Sequence, residues 1–213
     1  MHKNHLNLFA GLTVILLTFW TGLSAQELKL SLDGGISRPT GSEFDSYNWG
    51  YSVGGNALFI ITDNLFLGGR IAYNRWGPDE AAFLDRVDPT GLVDSVDVNG
   101  EATILQVVPI ARLSTNYPLS PINFFVQGGA GLYVMNLETT VTGTNGDDEP
   151  FEEVFGENEQ YRFGTQLGAG LMLGSPDYLS IELYPLYHVV FNKNGNGETF
   201  QFLSINLGIG LGI

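Results

Sequence analysis

The sequence predicts an all-β fold: an eight-stranded antiparallel up-and-down barrel that crosses a membrane, preceded by a cleaved leader. Three observations lead there. Apolar residues recur at every second position in eight separate segments, the side-chain period of a β-strand. The connections between those segments alternate short and long. The face opposite the apolar one is rich in glycine and poor in charge, which makes a weak solvent coat but suits the cramped inside of a small barrel.

The first 25 residues read as a leader. His2, Lys3 and His5 precede the apolar run "LNLFAGLTVILLTFW", which closes on "TGLSAQ". A basic start, an apolar core and a small-residue site form the plan of a secretory signal peptide, with cleavage expected after Ala25. A retained anchor over Leu6–Leu23 is just long enough to span, but the "SAQ" closure favours cleavage. Residues 26–213 then form one domain. No later run of 18 apolar residues exists, so helical spans are not expected. The sequence contains no cysteine, so it has neither a disulfide framework nor a lipidated N-terminal cysteine.

Eight strands follow in order: Glu27–Ile36, Trp49–Thr62, Asn64–Trp76, Glu101–Ser114, Ile122–Val141, Gln160–Leu173, Tyr178–Phe191 and Thr199–Ile213. The first sets Lys29 and Asp33 in its non-apolar half, and the second places Gly54 there. The third alternates Leu65, Leu67, Gly69, Ile71 and Tyr73 with Phe66, Gly68, Arg70, Ala72 and Asn74. The fourth carries Arg112 and the fifth Gly129 and Gly131 on the same side. The sixth alternates Phe163, Thr165, Leu167, Ala169, Leu171 and Leu173 with Arg162, Gly164, Gln166, Gly168, Gly170 and Met172. In the seventh, Glu182, Tyr184, Leu186 and His188 share the inner set. The eighth places Leu203, Ile205, Leu207, Ile209, Leu211 and Ile213 opposite Ser204, Asn206, Gly208, Gly210 and Gly212.

"TDN", "NYPLSP" and "GSPD" are short turns built from turn-favouring residues. Between them lie longer connections: Ser37–Asn48, Gly77–Gly100, Thr142–Glu159 and Asn192–Glu198. Two of these hold much of the acid: Asp79, Glu80, Asp85, Asp88, Asp94 and Asp97, then Asp147, Asp148, Glu149, Glu152, Glu153, Glu157 and Glu159. Short turns at one end and long loops at the other match a transmembrane barrel with its turns in the periplasm. A soluble lipocalin-like barrel competes, but it needs a polar exterior that the glycine face does not supply. Aromatics support the membrane reading as two interfacial belts. Trp49, Tyr51, Tyr73, Trp76, Tyr161 and Phe191 mark the loop end, and Phe59, Phe66, Tyr117, Phe124 and Tyr178 the turn end.

The formal net charge of −14 becomes −15 once Lys3 leaves with the leader. Such a chain repels nucleic-acid phosphates, so nucleic acid is excluded as a partner. Only 15% of residues are charged and 44% are hydrophobic, which excludes a disordered acidic tail.

The ending "NLGIGLGI", with Asn206, Gly208, Leu211 and Ile213 at alternating positions, resembles the C-terminal signal by which outer-membrane barrels are recognised for assembly. Ile213 stands where that motif usually has an aromatic residue. The stretches "VVPIARL" (Val107–Leu113) and "FFVQGGAGLYV" (Phe124–Val134) are similar to central strands of the same family. The mature chain as a whole resembles the small outer-membrane β-barrel domain family, akin to OmpA-, OmpX- and OmpW-type barrels of Gram-negative bacteria. The resemblance implies a place in the cell outer membrane. It also implies contact with outer-membrane lipid and lipopolysaccharide, and recognition by the barrel-assembly machinery through the last strand. An internal echo, "QGGAGL" at Gln127–Leu132 and "QLGAGL" at Gln166–Leu171, is attributed to similar packing needs.

Catalytic chemistry is not evident. His188 is the mature chain's one histidine, and the serine two positions away that lipid A deacylases carry is missing. Ser204 on the next strand is its nearest candidate partner, and a satisfied interior histidine is the preferred reading. "SVDVNGE" at Ser95–Glu101 has part of a calcium loop, but Gln106 falls where the bidentate glutamate belongs. Loose divalent bridging between acidic loops and lipopolysaccharide fits better than a built metal site. "GIGLG" precedes no helix, so a nucleotide reading fails. The expectation is a non-enzymatic protein without a cofactor.

Two function classes remain. One is a structural or surface-recognition barrel acting through long acidic extracellular loops. The other, which the OmpW-like resemblance implies and the lumenal glycines keep open, is a narrow channel or conduit for small apolar molecules. The mid-strand charges favour the first. Lys29, Asp33, Arg70, Arg112, Arg162 and Glu182 all fall in the inner set. Glu182 is expected to accept from Arg112 and from Lys29, in a network completed by Gln106, Gln127 and Gln166 that fills the bore.

Overall fold

The computed structural model describes residues 27–40, 47–80, 82, 95–115, 121–144, 150–175, 178–191 and 199–213. The expected leader, Tyr117, and Asp85, Asp88, Asp94, Asp147, Asp148 and Glu149 lie outside the described residues. Eight strands form one closed antiparallel barrel in sequence order. They are β1 (Leu28–Thr40), β2 (Gly50–Ile60), β3 (Leu65–Trp76), β4 (Ser95–Ser114), β5 (Ile122–Thr144), β6 (Pro150–Gly174), β7 (Leu179–Phe191) and β8 (Thr199–Gly212). Because lipid offers no hydrogen bonds to a free strand edge, only closure satisfies every ladder. β8 provides it, pairing with β1 from Thr40↔Gln201 to Lys29↔Gly212. Leu28 and Ile213 exchange amide–carbonyl hydrogen bonds at 2.8 and 3.0 Å beyond that point.

The sign of the alternation is that of a membrane barrel. Leu32 (76% exposed), Leu167 (68%) and Ile209 (61%) face outward, while the charged neighbours Asp33, Arg70 and Glu182 are buried. A soluble barrel would show the reverse. Leu67, Ile71, Leu171 and Leu207 are exposed as well, whereas Gln166 is buried.

The membrane-external parts differ from expectation. Thr142–Glu159 is mostly strand rather than loop, since β5 and β6 stay paired out to Thr144↔Pro150, with one register shift between Met135 and Leu137. β4 likewise starts at Ser95, so the calcium-loop-like Ser95–Glu101 is a paired strand. Above the membrane neither face needs to be apolar, so the hydrophobic period fades there while the pairing continues. Phe66 and Trp76 also differ: both are buried in the bore, at 1% and 0% exposure, rather than placed in the belts. Trp49, Tyr51, Tyr161, Phe124 and Tyr178 do face outward.

The echo on β5 and β6 has a packing cause. A Cβ on Gly129 would lie 2.1 Å from the Pro109 carbonyl oxygen, and one on Gly168 would lie 2.1 Å from that of Pro185. Each proline withholds a ladder N–H. The β4–β5 pairing is broken between Val107 and Ile110, and the β6–β7 pairing between Gly168 and Leu171. Both glycines sit where the neighbouring strand's backbone passes too close for a side chain, as do Gly35 against Ile205 and Gly68 against Ala57.

Closure yields one prediction. Leu211 pairs with Leu30 on one side and Leu179 on the other, so it belongs to both closing ladders. Deleting Leu211–Ile213 is expected to reduce heat-modifiable barrel in membrane fractions far more than deleting an equal length from a long connection. Normal amounts from the truncated chain would contradict this.

Candidate functional site in the barrel lumen

The inner set builds three layers across the bore. Nearest the short turns, Arg112 on β4 donates from Nη1 to both oxygens of Glu182 on β7, at 2.9 and 3.0 Å. Its Nε and Nη2 both donate to Gln127 Oε1, at 2.9 and 2.8 Å. Lys29 on β1 reaches Glu182 Oε1 at 2.5 Å and Met172 Sδ at 2.9 Å. The Phe125 ring lies 4.1 Å beneath the Arg112 guanidinium. Cations from β1 and β4 thereby converge on one carboxylate of β7. Arginine suits the position because its planar fork serves carboxylate and amide together.

The second layer is a separate pair. Arg70 on β3 grips Asp33 on β1 with two bonds of 2.7 Å, one from each terminal nitrogen. Its Nη1 also donates to Tyr184 Oη at 2.9 Å and Asn56 Oδ1 at 3.2 Å. Asn56 Nδ2 in turn donates to Ser31 Oγ at 2.9 Å. Phe125 and Tyr184 meet edge to face at 5.7 Å and join the two layers. Together the layers hold the cations Lys29, Arg70 and Arg112 against the carboxylates Asp33 and Glu182, all buried.

The third layer, towards the long connections, is aromatic. His188 stacks flat on Phe202 at 4.0 Å, and Trp76 packs edge-on against Phe202 at 5.2 Å and near Phe200 at 5.9 Å. His188 Nδ1 lies 3.3 Å from Tyr133 Oη, and its Nε2 lies 3.3 Å from Ser204 Oγ. Asn206 Nδ2 donates to the same Ser204 oxygen at 3.0 Å. Ile104, Val108, Met135 and Val190 complete this apolar stratum.

The lumenal glycines make room for these layers. A Cβ on Gly54 would approach Arg70 Nη2 to 3.0 Å, one on Gly164 the Tyr133 ring to 2.7 Å, and one on Gly210 the Lys29 Cε to 2.7 Å. The bore is therefore packed rather than lined.

Several expected members stand elsewhere. Arg162 keeps the inner alternation but sits half-buried near the long connections, where its Nε donates to Gln160 Oε1 at 2.6 Å. Gln106 and Gln166 are buried without joining the Glu182 cluster. Gln106 Oε1 and both polar atoms of Gln166 have no hydrogen-bond partner among the described residues. The Asp33–Arg70 clamp, with Asn56 and Tyr184, was missed as a unit. Its members are visible in the inner set, but their meeting depends on strand tilt and shear. In the C-terminal segment, Asn206 and Gly208 face the lumen, and Leu211 and Ile213 face outward.

No protein-family model and no curated protein matches the chain. Solved structures do resemble it. Neisserial surface protein A (NspA) matches at TM-score 0.51 and 14% identity, over 86% of this chain and 96% of its own. Ail, the attachment invasion locus protein of Yersinia pestis, matches at TM-score 0.47 and 16% identity, over 88% and 99%. The outer-membrane enzyme PagL matches at TM-score 0.40 and 15% identity, over 87% and 99%. With an apolar exterior, a closed all-antiparallel sheet and this likeness of fold, the chain is a small eight-stranded β-barrel of the kind that spans the outer membrane.

Proposed function

We propose that this barrel has a structural or surface-recognition role, with a closed bore and an acidic extracellular end that meets partners outside the cell. The observation that carries the reading is the layered packing of the lumen. Two ion-paired clusters and an aromatic stratum cross it, and the glycines that would suit a conduit are occupied by neighbouring side chains. Beyond the rim, β4 passes its last pairing with β3 at Trp76↔Ala102, and β6 passes its last pairing with β7 at Gly164↔Val190. With β5 they form a three-stranded extension carrying exposed Asp97, Glu138, Glu152 and Glu159. Such a raised acidic sheet suits cationic partners or bridging divalent ions. Assembly-machinery recognition through Asn206, Gly208, Leu211 and Ile213 belongs to the same proposal.

An enzymatic reading finds little support. Ser204 and His188 are within reach of one another, but both are buried, and the imidazole is held between Phe202 and Tyr133. A substrate would have no approach to the hydroxyl.

Planar-bilayer recording of the purified barrel tests the closed bore. The expected trace is silent, and steady unitary currents would replace this reading with the conduit. Loosening the seal with Glu182→Gln and Trp76→Ala together is expected to introduce current.

A further inference from the structure

Above the rim, β5 is paired on both sides, while the strands that flank it each keep one side open. β6 follows β5 out to Thr144↔Pro150, but its last partner on β7 is at Gly164↔Val190. Among the described residues, no strand pairs with that other side of β6 from Pro150 to Gln160. The return from β7 to β8 is too short to cover it. Phe191 and Thr199 are register partners, so residues 192–198 must climb and come back, which allows roughly 10–13 Å of height. Pro150 lies 14 residues beyond Gly164, roughly 46 Å along the strand. Every second residue on such an edge turns its N–H and C=O outward, a template for one more strand. The other open edge, on β4, is shorter and runs only from Ser95 to Glu101.

The register shift between β5 and β6 narrows the template. From Met135↔Gln160 to Leu137↔Glu157, β5 advances two residues and β6 three, so the extra residue belongs to β6. A bulge bends its strand and interrupts regular pairing. The regular run is therefore Pro150–Glu157, "PFEEVFGE", longer than a common strand of about five to six residues.

Charge chooses the occupant. The run carries Glu152, Glu153 and Glu157 and no basic residue. Two copies of the chain joined edge to edge would bring both sets of carboxylates together, and like charges across a ladder destabilise it. An extended segment bearing lysine or arginine would meet opposite charges across the same ladder. Val154, 65% exposed on this run, gives an added strand an apolar neighbour as well.

We propose that the edge of β6 at Pro150–Glu157 takes an extended, lysine- or arginine-bearing segment of a partner protein as an added strand. Such a partner is one that the acidic extracellular end would meet, so the proposal rests on that reading. Main-chain hydrogen bonds hold the segment, and opposite charges select it.

The test uses the full barrel in phosphatidylcholine nanodiscs and two synthetic peptides of equal charge, one alternating lysine with valine and one alternating lysine with proline. Proline lacks the N–H, so the second peptide keeps the charge and cannot complete a ladder. The lysine–valine peptide is expected to bind at least about tenfold more tightly, the equivalent of one net hydrogen bond or more. It should also slow hydrogen exchange within Phe151–Glu157. Glu152→Gln, Glu153→Gln and Glu157→Gln together should weaken its binding about tenfold and reduce the salt dependence. Equal affinity for the two peptides, or protection confined to Ser95–Glu101, would overturn the proposal and leave the acidic-end reading standing. Undiminished affinity in the triple variant would overturn it too, as would a dimer of the barrel that protects the same amides. Binding of neither peptide would end both the proposal and the reading beneath it.

Discussion

Replacing Glu182 with glutamine is expected to destabilise the barrel by about 3–5 kcal/mol, the cost of leaving a buried charge uncompensated. Two cations depend on that carboxylate. Lys29 reaches it at 2.5 Å and Arg112 at 2.9 Å, in a layer where all three side chains are at most 2% exposed. Glutamine keeps the shape and removes the charge, leaving two buried cations that repel one another. Arg112→Met should cost less, because Lys29 still neutralises Glu182. The double variant should then fall well short of the sum of the single effects. Reversible urea unfolding in lipid gives all four corners of the cycle. Additive effects would mean that each charge is separately hydrated, and the principal support for a sealed bore would go with them.

Leu167→Arg should cost about 2–4 kcal/mol, because it places a guanidinium among acyl chains near the bilayer midplane. Leu167 sits on β6 between Gly128 and Tyr187 and is 68% exposed on the outer wall. On the same strand and the same face, Tyr161 lies nearer the long connections. Tyr161→Arg should therefore cost only about 0–1 kcal/mol, the interfacial value. Unfolding of both variants in the same vesicles measures the gradient. Equal costs at the two positions, or none at Leu167, would place this face somewhere other than lipid.

The spanning part of the barrel was legible because burial and period coincide there. From Leu65 to Asn74, every second residue either meets lipid or fills the bore, and one alternation encodes both fates. Beyond the membrane that coupling ends. Thr142, Thr144 and Glu152 lie on paired strands, yet no apolar face marks them, so this part of β5 and β6 reads as a loop. Phe66 and Trp76 show a second limit. An aromatic residue near a strand end fits a belt by composition, while its parity places it inside. For the candidate site, parity identified the inward charges, but partner choice depends on how the strands are staggered around the axis. Glu182 with Arg112 and Lys29 was within reach of that reasoning. Asp33 with Arg70, which meet across the inside of β2, and the retreat of Gln106 and Gln166 from the cluster were not.

A single-cysteine scan of β6 in vesicles reads the packed bore and the lipid-facing wall in one experiment, and the cysteine-free sequence permits it without background. Cysteines at Phe163, Thr165, Leu167, Ala169 and Leu171 should carry labels quenched by a bilayer-confined quencher. Cysteines at Gln166 and Met172, inner positions that already carry a side chain, should be protected both from that quencher and from a water-soluble thiol reagent. Aqueous labelling of the inner set at wild-type stability would contradict a packed bore, and quenching in the opposite phase would contradict the lipid-facing wall.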